Sequence, residues 1–177
     1  IEHRTEFGVY RSEDKGETWT KLSNSNPRPS YYSKIHIDPN NDQRIWVLGA
    51  QMYNSEDGGK TWRTNLVQRI HGDYHALWIN PANSNHVING SDGGIHQSFD
   101  KGRTWEHLNG VPLGQFYEIN ADNQKPYNVC GGLQDNGTNR RNTAGSWTSV
   151  LGGDGGYTGI DPTGTRVFAE SQGTGSL

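Results

Sequence analysis

Two loops carry an acid among small or aromatic neighbours. One is His71-Gly72-Asp73-Tyr74-His75, the other Gly152-Gly153-Asp154-Gly155-Gly156. Asp73 stands six residues before Ile79 and Asp154 six before Ile160, so the two occupy equivalent positions. Three more polar loops accompany them: Gly90-Ser91-Asp92-Gly93-Gly94, Gly131-Gly132-Leu133-Gln134-Asp135-Asn136-Gly137 and Glu170-Ser171-Gln172. Carboxylates beside flexible glycine suit a sugar, offering acceptors and room for a chain. Glycoside cleavage needs two carboxyl groups. A separation of about 5 Å suits retention, and roughly 6.5–9.5 Å suits inversion with a water between. Asp73 and Asp92 form the first candidate catalytic pair, Asp154 and Asp135 the second. Tyr74, His75 and Tyr157 offer rings for stacking on sugars. His71, Gln134, Glu170 and Gln172 complete the candidate ligand-binding set. The plainer reading is that Asp-Gly is a common turn pair whose carboxylate caps backbone groups.

His71, Asp73 and His75 alternate, so on an extended segment all three side chains share a face. That arrangement suits zinc or a general base. Such residues more often satisfy neighbouring loops, and no metal or cofactor is expected. Cys130 is the single cysteine, which excludes an intrachain disulfide or a cysteine metal cluster, and it reads as a small strand residue. Gly90-Ser91-Asp92 is no nucleophile elbow. Asn89-Gly90-Ser91 and Asn136-Gly137-Thr138 match the glycosylation sequon, a signal of only three residues.

The elements that must position these loops come in a repeat. Ser-x-Asp-x-Gly-x-Thr-Trp occurs at Ser12–Trp19, Ser55–Trp62 and Ser98–Trp105, each copy 43 residues after the last. Between the boxes Ile35-His36-Ile37-Asp38-Pro39 returns as Leu77-Trp78-Ile79-Asn80-Pro81 and as Thr158-Gly159-Ile160-Asp161-Pro162. Alternating apolar residues closed by a turn signal read as a strand. Each is followed by a second short strand, a third entering the box, and a fourth starting at the box tryptophan. Four strands in about 40 residues is the unit of a β-propeller blade. A degenerate unit runs from Phe116 to Trp147.

The expected fold is therefore all-β, a β-propeller of four-stranded Asp-box blades. The expected division is a half blade at 1–34, blades at about 35–70, 71–113 and 114–152, and a half blade at 153–177. About four blades' worth of chain is expected to be part of a larger propeller, completed by remaining blades or further copies. In this reading the box aspartates Asp14, Asp57 and Asp100 shape turns. Strands alternate in direction, so the loops leading into first strands and those between second and third strands share one face, opposite the boxes.

Composition agrees. Hydrophobic residues are only 30%, with Gly 24 and Trp 6, which suits short strands and tight turns better than a helical bundle. The net charge of −3 and the lack of a basic stripe argue against a nucleic-acid partner. No apolar run approaches the roughly 18 residues of a membrane span.

The boxes, the Ile-Asp/Asn-Pro element and the glycine-rich Asp loops together resemble the BNR/Asp-box superfamily. Gly131–Gly137 and Ala169–Gly173 look most like bacterial secreted BNR-repeat glycosyl hydrolases and sortilin (Vps10)-like propellers. A more distant likeness is to xyloglucan-cleaving endoglucanases, which are inverting enzymes. Ser91-Asp92-Gly93-Gly94 partly resembles one catalytic loop of theirs, one residue shorter, and Gly72-Asp73 resembles the other. The sialidase arginine triad has no counterpart here, since Arg140-Arg141 reads as a solvated pair. The resemblance implies a secreted or periplasmic protein that cleaves or binds a polysaccharide or oligosaccharide. The alternative it implies is a non-catalytic platform for a peptide or protein ligand, as in sortilin-like receptors or photosystem assembly factors.

Overall fold

The computed structural model describes residues 7–26, 28, 30–64, 70–108 and 113–172. It divides into two compact units, residues 1–110 and 111–177. No helix occurs among the described residues, and all fifteen elements are strands.

In the first unit β1 (Val9–Arg11) and β2 (Thr20–Ser23) form a hairpin around the first box. Next come β3 (Lys34–Asp38), β4 (Asn41–Leu48) and β5 (Met52–Ser55), paired in that order. Beyond the second box Arg63 bridges back to Asn54, with N···O distances of 2.8 and 3.0 Å. A four-stranded meander follows: β6 (Tyr74–Ile79), β7 (Val87–Ser91), β8 (Gly94–Ser98) and β9 (Glu106–His107).

The second unit repeats the plan. A four-stranded meander contains β10 (Phe116–Ala121), β11 (Val129–Leu133), β12 (Thr138–Arg141) and β13 (Trp147–Leu151). A final pair consists of β14 (Gly155–Ile160) and β15 (Val167–Ser171). Every pairing is antiparallel between sequence neighbours, which is the make-up of β-propeller blades.

The box residues do the same work three times. Ser12, Ser55 and Ser98 hydroxyls donate to Asp14, Asp57 and Asp100 at 2.7–2.8 Å. Each carboxylate also accepts the threonine N–H at 2.8–2.9 Å and its hydroxyl at 2.6–2.7 Å. Each tryptophan Nε1 donates to the box glycine carbonyl at 3.0 Å. The acids are thus saturated locally. The Thr18 bonds hold the Asp14 carboxyl down at about 2, and the Thr61 bonds do the same for Asp57. Burial pushes Asp100 up, but bonds from Thr104 and Ser98 outweigh it.

The core of the first unit lies between the β3–β5 and β6–β9 sheets. Trp46, Leu48, Met52, Tyr74, Leu77, Ile79 and Val87 cluster there, with Trp105 of the third box packed against them. Trp105 meets Trp46 edge to face at 6.5 Å, so the box tryptophan wedges one sheet against the next. In the second unit backbone meets backbone instead. A Cβ on Gly132 of β11 would strike the Gly156 carbonyl, and one on Gly155 would strike Gly137 and Leu133. Cys130 is fully buried in β11.

Candidate functional site

Two kinds of turn contact separate the loops within each unit. The loop leading into β6 bonds to the β4–β5 turn, through Asp73 N to Ala50 O at 3.2 Å and Tyr74 N to Gly49 O at 2.8 Å. The loop leading into β14 bonds likewise to the β11–β12 turn, through Gly137 N to Gly153 O at 2.8 Å. Box turns bond elsewhere, as Gly58 N to Gln43 O and Lys101 N to Asn85 O show. Box aspartates and loop aspartates therefore sit in different loop sets.

Asp73 is the hub of the first cluster. Arg28 Nη1 donates to its Oδ1 at 2.6 Å, and the Tyr32 hydroxyl bonds the same oxygen. Burial, then the neighbouring Asp73 carboxylate, pushes the Tyr32 phenol up to about 12. The Arg28 guanidinium lies over the Tyr31 and Tyr32 rings at 5.3 and 5.1 Å. Tyr32 leans on His75, ring centres 4.4 Å apart, and His75 Nε2 lies 3.0 Å from Asp92 Oδ1. Lys34 Nζ donates to the His75 carbonyl at 2.7 Å. Asp92 N approaches the Asp73 carbonyl at 3.4 Å, so the two loops touch. The first candidate pair is brought into one cluster, with each carboxylate held by a basic side chain. Tyr31 remains 73% exposed at its rim.

His71 is exposed beside this cluster, its Nδ1 3.3 Å from the Gly72 carbonyl. Tyr74 is different: it opens β6 and is buried in the core, so its ring faces no ligand. Strand alternation explains the correction, because Tyr74, Leu77 and Ile79 all belong to the packed side of a bulged strand. Among the described residues no group of three or more His, Cys, Asp or Glu side chains is set to hold a metal ion.

The second cluster lies in the second unit. Asp154 Oδ1 accepts the Asp135 N–H at 3.0 Å, and its carbonyl accepts the Gln172 N–H at 2.9 Å. Burial, then the Asp154 charge and hydrogen bond, pushes the Tyr117 phenol up. Gln134 is tied by its N–H to the Gln115 carbonyl at 3.0 Å. Glu170 Oε1 accepts the Tyr157 N–H at 3.1 Å, and the Tyr157 ring is 73% exposed. Asp73 and Asp135 both take left-handed backbone angles, φ of 57° and 58°. Among the described residues, the other non-glycine positions there, Lys15 and Lys101, sit in box turns.

Arg28, Tyr31, Tyr32 and Tyr117 belong to these clusters and escaped the sequence reading. A signal existed: counting six residues back from Ile37, as from Ile79 and Ile160, lands on Tyr31. The sequon at Asn89 is fully buried, whereas Asn136 is exposed in the β11–β12 turn.

The family description "Sortilin, neurotensin receptor 3" (Sortilin-Vps10) matches residues 8–144. The chain belongs to the Sortilin-Vps10 family. That matched span holds all three boxes and the loops of Asp73, Asp92 and Asp135. The chain is also similar to solved structures. A GH74 enzyme of Niastella koreensis is 17% identical with TM-score 0.47, over 92% of this chain and 29% of that one. The GH74 xyloglucanase from Xanthomonas campestris is 17% identical with TM-score 0.45, over 90% and 30%. YCF48 bound to a D1 peptide is 16% identical with TM-score 0.46, over 94% and 57%. The chain thus spans under a third of either enzyme and 57% of YCF48. No curated protein matches it. No helix among the described residues is long and apolar enough to cross a membrane.

Proposed function

We propose that this Sortilin-Vps10 chain is part of a larger, secreted or periplasmic, non-catalytic binding propeller. It contributes a half blade at 1–34, blades at about 35–70, 71–113 and 114–152, and a half blade at 153–177. Its ligand, a peptide or partner protein, docks on the loops around Arg28, Tyr31, Tyr32, Asp73, His75 and Asp92. The observation that carries this reading is the engagement of Asp73. A general acid or base must exchange a proton with substrate, yet Asp73 accepts both the Arg28 guanidinium and the Tyr32 hydroxyl on one oxygen. Such a network presents fixed charges and exposed rings, which suits recognition. The left-handed backbone at Asp73 and Asp135 supports a ligand role, because strain of this kind concentrates at binding sites.

A second reading is glycan hydrolysis or glycan binding. The contact between the Asp92 and Asp73 loops favours it, since it brings two acid-bearing loops together in the cluster rimmed by exposed Tyr31. In that reading one acid protonates the leaving oxygen and the other activates water. The full protein, tested against polysaccharides and against a peptide library, separates the two. Peptide capture lost in Arg28→Ala supports the platform. Sugar release abolished by Asp73→Asn or Asp92→Asn replaces it with the enzyme.

A further inference from the structure

The core between the β3–β5 and β6–β9 sheets has a polar row. Asn89 of β7 is fully buried, and among the described residues neither its Oδ1 nor its Nδ2 has a hydrogen-bond partner. His96 faces it directly across the β7–β8 ladder, 6% exposed, with Nδ1 unpartnered among the described residues. On the facing sheet Trp46 is fully buried, and its Nε1 too is unpartnered among the described residues. Trp46 shares one apolar cluster with Val87 and Leu77, and these two flank Asn89: Val87 two residues before it on β7, Leu77 opposite it on β6. Burial, then the stacked His107, pushes the His96 imidazole down, so it stays neutral and keeps an acceptor nitrogen.

Buried amides of folded proteins are satisfied by protein or by ordered water in nearly every case. The stoichiometry here is that of a water site. Asn89 Nδ2 and Trp46 Nε1 donate, whereas Asn89 Oδ1 and His96 Nδ1 accept. A buried water needs two to four polar partners, and this row supplies them. We propose that Asn89, His96 and Trp46 form an internal site that binds ordered water between the two sheets. This water braces β4 against β7 and β8, and β4 and β7 pair with β3 and β6, the strands whose lead-in loops carry Tyr32 and Asp73. The proposal is independent of what ligand those loops take.

A crystal structure of the full chain at high resolution tests it directly. The expected result is a water within about 2.7–3.2 Å of Asn89 and His96. A direct Asn89–His96 bond, or an empty row, overturns it. Equilibrium unfolding gives a second readout with opposite signs. Asn89→Leu strands His96 and is expected to lower the folding equilibrium constant roughly 10-fold. Adding His96→Leu removes the stranded partner and is expected to recover most of that loss. If the row is dry, Asn89→Leu removes two unmet groups at no cost, and a raised unfolding midpoint sinks the proposal. If the variants do not fold, the density in the unaltered chain decides.

Discussion

Arg28 Nη1 lies 2.6 Å from Asp73 Oδ1, across 45 residues of chain. The two residues come from loops that lead into the first strands of successive sheets. Their bond therefore reports the spacing of those sheets as well as the state of the cluster. The same carboxylate oxygen takes the Tyr32 hydroxyl, and Tyr32 in turn supports His75. Removing Arg28 should loosen a chain of contacts that ends at Asp92.

A double-mutant cycle measures that coupling. Arg28 and Asp73 side chains are 42% and 26% exposed, so solvent screens the pair. Arg28→Ala and Asp73→Ala are each expected to lower the urea midpoint only slightly, with a coupling of similarly small size. Urea unfolding of the two single variants and the double variant checks it. Additive losses would show that the bridge contributes nothing beyond its parts.

Asp38 and Arg44 form a more deeply buried pair, with side chains 0% and 8% exposed and 2.5 Å between Arg44 Nη1 and Asp38 Oδ2. Asp38 also accepts the Ser84 hydroxyl at 2.7 Å, which ties the β3–β4 turn to the next sheet. Asp38→Ala leaves Arg44 with Glu56 as its remaining anion. The expected loss is about 3 kcal/mol, the low end for breaking a buried ion pair. Thermal unfolding of Asp38→Ala beside Glu56→Ala checks it, the latter being the milder change because Glu56 is 31% exposed.

Box spacing and strand alternation made the sheets legible. A 43-residue period leaves few ways to lay out four short strands, and the Ile-Asp/Asn-Pro element marks the end of the first of them. Asp73 and Asp92 were legible as neighbours because both flank adjoining strands of one sheet. Arg28 was not, because which basic residue reaches an acid depends on packing between sheets, and local sequence carries no record of it. Tyr74 misled for a related reason. An aromatic beside a glycine loop reads as a ligand platform until the strand start is known, and one residue decides which side the ring faces.

Gly102 tests the wedge. It has φ of 78°, and a Cβ there would collide with the Trp46 ring. Gly102→Ala is expected to cost about 1–3 kcal/mol through strain and overpacking. Gly16 has φ of 100° in the first box, but a Cβ there meets only Trp19 at 3.8 Å. Gly16→Ala should therefore cost less, and its deficit isolates the backbone part. Equal losses at the two sites would mean that Trp46 does not press on the third box.

Acid should undo the boxes in a defined window. Hydrogen bonds, Thr18 first, hold Asp14 at about 2, and bonds from Thr61 hold Asp57 at about 2, against 3.8 for a free carboxyl. A carboxyl lowered on folding makes the unfolded chain bind protons more readily, so stability rises with pH through the gap. The contribution of these boxes is complete above pH about 4 and fades as pH falls toward about 2. Asp57→Asn deletes one titrating group and should flatten the slope of unfolding midpoint against pH between those limits. Asp92→Asn, outside the boxes, serves as the comparison. Unchanged acid sensitivity in Asp57→Asn would place the acid-labile group elsewhere, whereas carbon-13 shifts of the Asp57 carboxyl that move only near pH 2 would locate it in the box.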